Sequence, residues 1–224
     1  MSYCVAIDGP AGAGKSTIAR QVAKRMNLVY VDTGAMYRAM ALFMLRQQIA
    51  PESLEEMNRR CEEADITIKY ENGEQVVYLN GENVNAFLRT EEVGNMASVS
   101  STQPNVRKKL VSLQKQLART TDVIMDGRDI GTCVLPDADV KIYLTASSRV
   151  RAKRRYDELT ARGEACDLDG IEKDIIERDE RDMTREESPL RQAEDAILVD
   201  SSDMSIEEVI GTIIQICEER KRRS

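Results

Sequence analysis

Gly9-Pro10-Ala11-Gly12-Ala13-Gly14-Lys15-Ser16 satisfies the eight-position phosphate-binding pattern Gly-x-x-x-x-Gly-Lys-Ser/Thr. Glycines at this spacing let successive backbone amides turn inward around phosphate oxygens. A lysine at the seventh position reaches the β and γ oxygens, and a serine hydroxyl at the eighth is a hard oxygen ligand suited to magnesium. Gly9 to Thr17 is therefore the expected seat of the phosphates of a nucleoside triphosphate. Asp126 ends the apolar run Val123-Ile124-Met125, where a carboxylate can help hold magnesium through water. Arginines are the third ingredient: Arg38, Arg107, Arg128, Arg178 and Arg185 stand in separate elements, mostly near strand ends. Each alone could be a solvated surface charge, but together they point to further phosphate groups. Arg178, Asp182 and Arg185 fall at i, i+4 and i+7, either a ligand-binding face or an ordinary ladder of intrahelical ion pairs. Arg151, Lys153, Arg154 and Arg155 crowd one and a half helical turns, and their mutual repulsion asks for an anionic partner such as a triphosphate.

Histidine is absent from the 224 residues, which excludes mechanisms that need an imidazole base or ligand. Phosphoryl transfer depends on positioning and charge neutralisation far more than on a base, so an arginine-rich, histidine-free site suits it. A regulatory GTPase would carry an Asn-Lys-x-Asp loop, and the chain has no such run. The formal charge of −7 argues against a nucleic-acid partner. No apolar stretch approaches the ~18 residues of a membrane span, Met1 runs directly into a strand-like segment, and the five cysteines are scattered without metal-binding or redox spacing. A cytoplasmic protein with reduced thiols, no membrane association and a monomeric state is the expectation.

These residues must be positioned by alternating elements. Apolar runs at Tyr3 to Ile7, Leu28 to Val31, Val123 to Met125, Val140 to Leu144 and Ala196 to Val199 read as buried strands, each followed by a helical pattern. Helices are expected at Lys15 to Met26, after a Thr33 cap, over Glu91 to Val99 and Gln103 to Leu117, from a Ser147 or Ser148 cap to about Arg162, from Ile171 to about Arg185, and from Ser205. The result is an α/β fold with a five-stranded parallel sheet and helices on both faces. A polar helix from Pro51 to Ala64 leads to Ile66 to Tyr70 and Val76 to Leu79, which alternate about Asn72-Gly73 and predict a hairpin. Residues 60–90 are thus expected as an inserted subdomain within one domain of residues 1–224, with a companion strand near Val84.

The motifs resemble one family closely, the bacterial-type cytidylate kinases of the nucleoside monophosphate kinase group. The resemblance is carried by Ile7 to Thr17, by Val31-Asp32-Thr33-Gly34-Ala35-Met36-Tyr37-Arg38, by Arg89-Thr90-Glu91-Glu92-Val93, by Asp126-Gly127-Arg128-Asp129-Ile130-Gly131-Thr132, by Lys141 to Ser147 and by Arg178-Asp179-Glu180-Arg181-Asp182. It implies a phosphate-loop kinase fold with a small β-containing acceptor-side insert and a basic helical lid at about residues 148–170. It implies phosphorylation of CMP and dCMP by ATP with magnesium. Ser98, Arg107 and Asp129 would read cytosine, Arg178 and Asp182 the sugar, and Thr33, Arg38, Arg128 and Arg185 the acceptor phosphate. Lys15, Arg128, Arg185 and the lid arginines Arg154 and Arg155 would neutralise the transferring group, and Ser16, with Asp126 through water, would serve the metal. Asp129 can accept from the amino group of cytosine, whereas uracil would set two acceptors against each other, so CMP should outrun UMP. Two alternatives stay open: a kinase for another small acceptor (UMP, shikimate or dephospho-coenzyme A), and a nucleotide-sensing module that binds without transferring.

Overall fold

The computed structural model describes residues 2–222; Met1, Arg223 and Ser224, the ends of the expected domain, lie outside the described residues. In chain order the elements are β1 (Cys4–Asp8), α1 (Lys15–Met26), β2 (Val29–Asp32), α2 (Thr33–Arg46), α3 (Leu54–Arg60), β3 (Ile66–Glu71), β4 (Glu74–Leu79), β5 (Glu82–Asn83), α4 (Glu91–Ser100), α5 (Pro104–Thr120), β6 (Val123–Gly127), β7 (Val140–Thr145), α6 (Ser148–Ala161), α7 (Leu168–Thr184), β8 (Ile197–Asp200) and α8 (Ile206–Lys221). The chain divides into two compact units: Tyr30–Thr121, and the segments Met1–Val29 with Asp122–Ser224.

The main sheet has five strands in the order β2-β6-β1-β7-β8. β1 pairs in parallel with β6 and β7, and β7 in parallel with β8. Val5, Ala6, Ile7, Ile124, Met125, Ile142 and Leu144 are at most 1 % exposed, which explains why these strands read as unbroken apolar runs rather than alternating ones. α1 packs on β6 and on α8, and α8 in turn touches β7. Val22, Ile210, Ile213 and Cys217 are buried from the two helices. A full capping box fixes the start of α8: Ser205 accepts from Glu208 N while the Glu208 carboxylate accepts from Ser205 N. α6 and α7 pack side by side.

The second unit contains an antiparallel sheet in the order β3-β4-β5. Asn72 and Gly73 both take positive φ (54° and 79°), as the tight turn of a two-residue hairpin requires. Asn80 and Gly81 repeat this (50° and 83°) between β4 and β5, a second Asn-Gly turn that accounts for the short third strand just before Val84. α2 packs against β4 and α4 in this unit.

Two local expectations are corrected. The cap of α2 is Asp32, whose carboxylate accepts from Ala35 N at 2.8 Å, so Thr33 is instead the first helical residue. Gly127 to Thr132, which reads from its sequence as a tight loop, runs instead into a π-helical turn, Ile130–Val134, with Asp129 O accepting from Cys133 N and Val134 N.

Candidate active site

In the first unit the site grows from the end of β1. Gly9 takes φ 151°, and a side chain there would collide with the carbonyl of Leu144; only glycine lets the chain leave the strand at this point. Gly12 and Gly14 follow in the left-handed region, and the chain then enters α1 at Lys15. The first amides of a helix have no intrahelical partner and point at whatever lies before it, so the loop aims donors and dipole at an anion. Lys15 is buried and donates to the carbonyl of Pro10 at 2.7 Å. Burial and the neighbouring Arg128 guanidinium draw its ammonium below the ordinary lysine range, against the pull of Asp126, Asp8 and Asp182. A bound anion would reverse that balance.

Ser16 Oγ donates to Asp126 Oδ2 at 2.8 Å, which brings the last residue but one of β6 onto the first turn of α1. Both are hard oxygen donors, and among the described residues no group of three or more acidic, histidine or cysteine side chains is placed to hold a metal ion. The pair fits magnesium that takes its remaining ligands from water and phosphate.

Beyond Asp126, Arg128 donates through Nε to Asp182 Oδ2 at 2.9 Å, a bond from the β6 end to α7. Arg185, just past the end of α7, donates to Ser188 O at 2.6 and 2.8 Å, and its guanidinium stands 3.8 Å from Asp129 and 4.0 Å from Asp182. Asp182 therefore takes its closest cation from another element, not from an intrahelical ladder. Burial raises the Asp182 carboxyl pKa, but Arg128, Arg185 and Arg178 outweigh burial and hold it below its ordinary value. Arg178 is on the exposed side of α7.

Of the four basic residues crowded into α6, the structure turns Arg151 inward. It is 5 % exposed, donates to Ala11 O (2.8 Å) and Ala146 O (2.9 Å), and pairs with Asp179 of α7 at 2.6 Å. Ala11 belongs to the phosphate loop, so this guanidinium braces the loop from behind. Arg154 instead donates to Ser201 O at 2.7 Å, and Arg155 pairs with Glu158 at 2.9 Å on the surface. A basic run does not say which of its members faces inward; the small Ala152 beside Arg151 is the one local sign of a buried stripe.

The second unit carries the other expected residues. Thr33 is buried at the start of α2, and Arg38 one turn on pairs with Asp32 at 3.2 Å. The side chain of Gln75, on β4, brackets the backbone of Asp32: Asp32 N donates to its Oε1 (2.9 Å) and its Nε2 donates to Asp32 O (3.1 Å). Tyr70 of β3 donates to Tyr30 O at 3.2 Å. The hairpin is thus fastened to the β2–α2 junction by side chains that no local pattern singles out. Arg107 is buried on α5, lies 5.6 Å from the Tyr37 ring centre and donates to Ser101 O at 3.3 Å. Ser98 is half-buried on α4.

No helix is long and apolar enough to cross a membrane among the described residues. Among solved structures, the chain is similar to a shikimate kinase from Bacteroides thetaiotaomicron, at a TM-score of 0.51 and 12% identity over 96% of this chain and 98% of that one. A protein from Eubacterium ventriosum gives a TM-score of 0.52 at 13% identity, covering 98% and 99%. At such identities the likeness shows a shared fold. Sequence relatives are far nearer. The cytidylate kinase of Geobacillus sp. (strain WCH70) is 47% identical over 96% of both chains, and that of Listeria innocua serovar 6a is 48% identical over 97% of this chain and 96% of its own. That of Caldicellulosiruptor bescii is 48% identical over 95% and 94%. The cytidylate kinase family model matches residues 5–219, and the chain belongs to that family.

Proposed function

We propose that this protein transfers the γ-phosphoryl group of ATP to CMP and dCMP, giving ADP with CDP or dCDP. The observation that carries the reading is the joining of Ser16, Lys15 and Asp126 around a glycine loop, with Arg128 fixed by Asp182 at the end of the same strand, in a chain of this family. Gly9 to Thr17 hold the donor phosphates through backbone amides, and Lys15 neutralises charge on the β and γ oxygens. Ser16, with Asp126 through water, would hold magnesium, which would supply positive charge to offset that of the donor phosphates.

On the acceptor side, Arg128 and Arg185 hold the phosphate of CMP together with Thr33 and Arg38, Arg178 and Asp182 hold the sugar, and Asp129, Ser98 and Arg107 read the base. Arg185 stands 3.8 Å from Asp129, whose carboxylate oxygens can accept from the cytosine amino group. Residues 60–90 serve as the acceptor-side insert. Residues 148–170 serve as a lid that excludes water and brings Arg154 and Arg155 to the transferring group. Both leave their present partners, Ser201 and Glu158, as it closes.

The test is to separate the nucleotides formed from Mg-ATP and CMP by anion exchange. CDP and ADP in equal amounts are expected, and Asp129→Asn should erode the preference for CMP over UMP. ADP without CDP would contradict the transfer, and an unchanged preference would contradict the role of Asp129.

A further inference from the structure

Asp8 is a buried carboxylate for which neither the phosphate loop nor the acceptor site has a direct use. It closes β1, one residue before Gly9, and is 4 % exposed. Its side chain crosses to the turn after β6, where Oδ1 accepts from Ile130 N at 2.8 Å and Oδ2 from Gly131 N at 2.7 Å. Burial of a carboxylate is unfavourable and pushes this one up to about 6, while the two amides and Lys15 pull it down and Asp129 pushes it further up. The two amides offset that cost, and without this carboxylate both would lose their acceptor. The two amides it binds are those that directly follow Arg128-Asp129.

We infer that Asp8 is a positioning residue for acceptor recognition, fixing the backbone from which Arg128 and Asp129 project; this rests on the assignment of those two residues to CMP. The turn is held from both ends. Asp8 takes the amides at its start, and Asp129 O accepts from Cys133 N (2.9 Å) and Val134 N (3.2 Å) at its close. With the peptides on the far side of Asp129 fixed, the direction of its side chain and of Arg128 is set relative to β1 and the phosphate loop. Gly131 keeps this approach uncrowded: a Cβ there would sit 3.3 Å from Asp8 Oδ2 and 3.2 Å from Lys141 Cδ, so one of them would have to give by a few tenths of an ångström. Asparagine at position 8 keeps the shape but offers one acceptor and one amino group, which would face an N–H with another N–H.

Two variants disturb this bond from opposite sides, Asp8→Asn by removing an acceptor and Gly131→Ala by pushing Asp8 back from the donor. KM for CMP at saturating Mg-ATP and KM for ATP at saturating CMP are measured for both, with Asp129→Ala alongside. Each is expected to raise KM for CMP about tenfold or more, the factor that loss of one hydrogen bond to a charged group brings, with KM for ATP within about twofold of the wild type. Unchanged KM for CMP, or equal rises in both constants, overturns the inference. Should Asp8→Asn fail to fold, Gly131→Ala, which removes no charge, decides the matter. If Asp129→Ala weakens CMP while the other two do not, only the role of Asp8 falls. If Asp129→Ala itself leaves CMP binding intact, the acceptor assignment falls first.

Discussion

Arg128 Nε donates to Asp182 Oδ2 at 2.9 Å and so ties the loop after β6 to the last turn of α7. The pair is mostly buried, and Arg185 stands 4.0 Å from the same carboxylate and 3.8 Å from Asp129. Asp182 is held below its ordinary value of 3.8. A depressed carboxylate adds stability that is present above its unfolded-state pKa and is lost as pH falls through its lower folded-state pKa. Asp182→Asn should therefore be less stable than wild type by about 2 kcal/mol at pH 7. The gap should narrow below about pH 4, as wild-type Asp182 also begins to lose its charge. Urea denaturation at pH 7 and pH 3 reads the difference; a gap that does not shrink would show that charge is not its source.

Lys15 is buried and bonded to Pro10 O, so its aliphatic stem fills space that methionine also fills. Lys15→Met should lower kcat by at least about a thousandfold, since a cation at the β and γ oxygens stabilises charge that develops in transfer. Its thermal unfolding should stay within a few degrees of wild type. Near-normal turnover would remove Lys15 from the mechanism.

Arg151 predicts a different pattern. Replacing it by methionine leaves Asp179 buried without its cation and the carbonyls of Ala11 and Ala146 without their donor. A loss of about 3 kcal/mol is expected, together with a rise in KM for ATP that exceeds any rise for CMP. Adding Asp179→Asn should recover part of the stability, because the stranded charge is then gone. Additive losses in the double variant would show that the two residues do not act as a pair.

Gln75 links the hairpin to the β2–α2 junction through two hydrogen bonds to Asp32. Gln75→Ala should raise KM for CMP about fivefold to thirtyfold, the range that two neutral hydrogen bonds span, while KM for ATP stays put. Gln75→Glu keeps the acceptor and loses the donor, and should fall between. Equal effects on both substrates would place Gln75 in the general stability of the fold instead.

What could be read from the sequence follows from how far each interaction reaches. The phosphate loop is contiguous and its glycines answer to backbone geometry alone, so Gly9 to Ser16 are legible at sight. The buried strands announce themselves as apolar runs, and Asn72-Gly73 marks its turn because few residues tolerate two successive positive φ values. The cap of α2 is misread because Asp32 and Thr33 are adjacent and both are good caps; only the bond to Ala35 N separates them. Asp8, Gln75 and Arg151 act across 122, 43 and 140 residues of chain, and a local pattern carries no sign of such partners. The same holds for Ser16 and Asp126, which motif knowledge places together although they stand 110 positions apart.

The measurement that bears most directly on the account is ADP release from Mg-ATP by the purified protein, run in parallel with CMP, dCMP, UMP, AMP, shikimate and no acceptor. Strong stimulation by CMP and dCMP, weak by UMP and none by AMP or shikimate, is the predicted result. A greater response to another acceptor would keep the transfer and discard the cytosine site around Asp129, and ATP binding without stimulation by any acceptor would contradict the account as a whole.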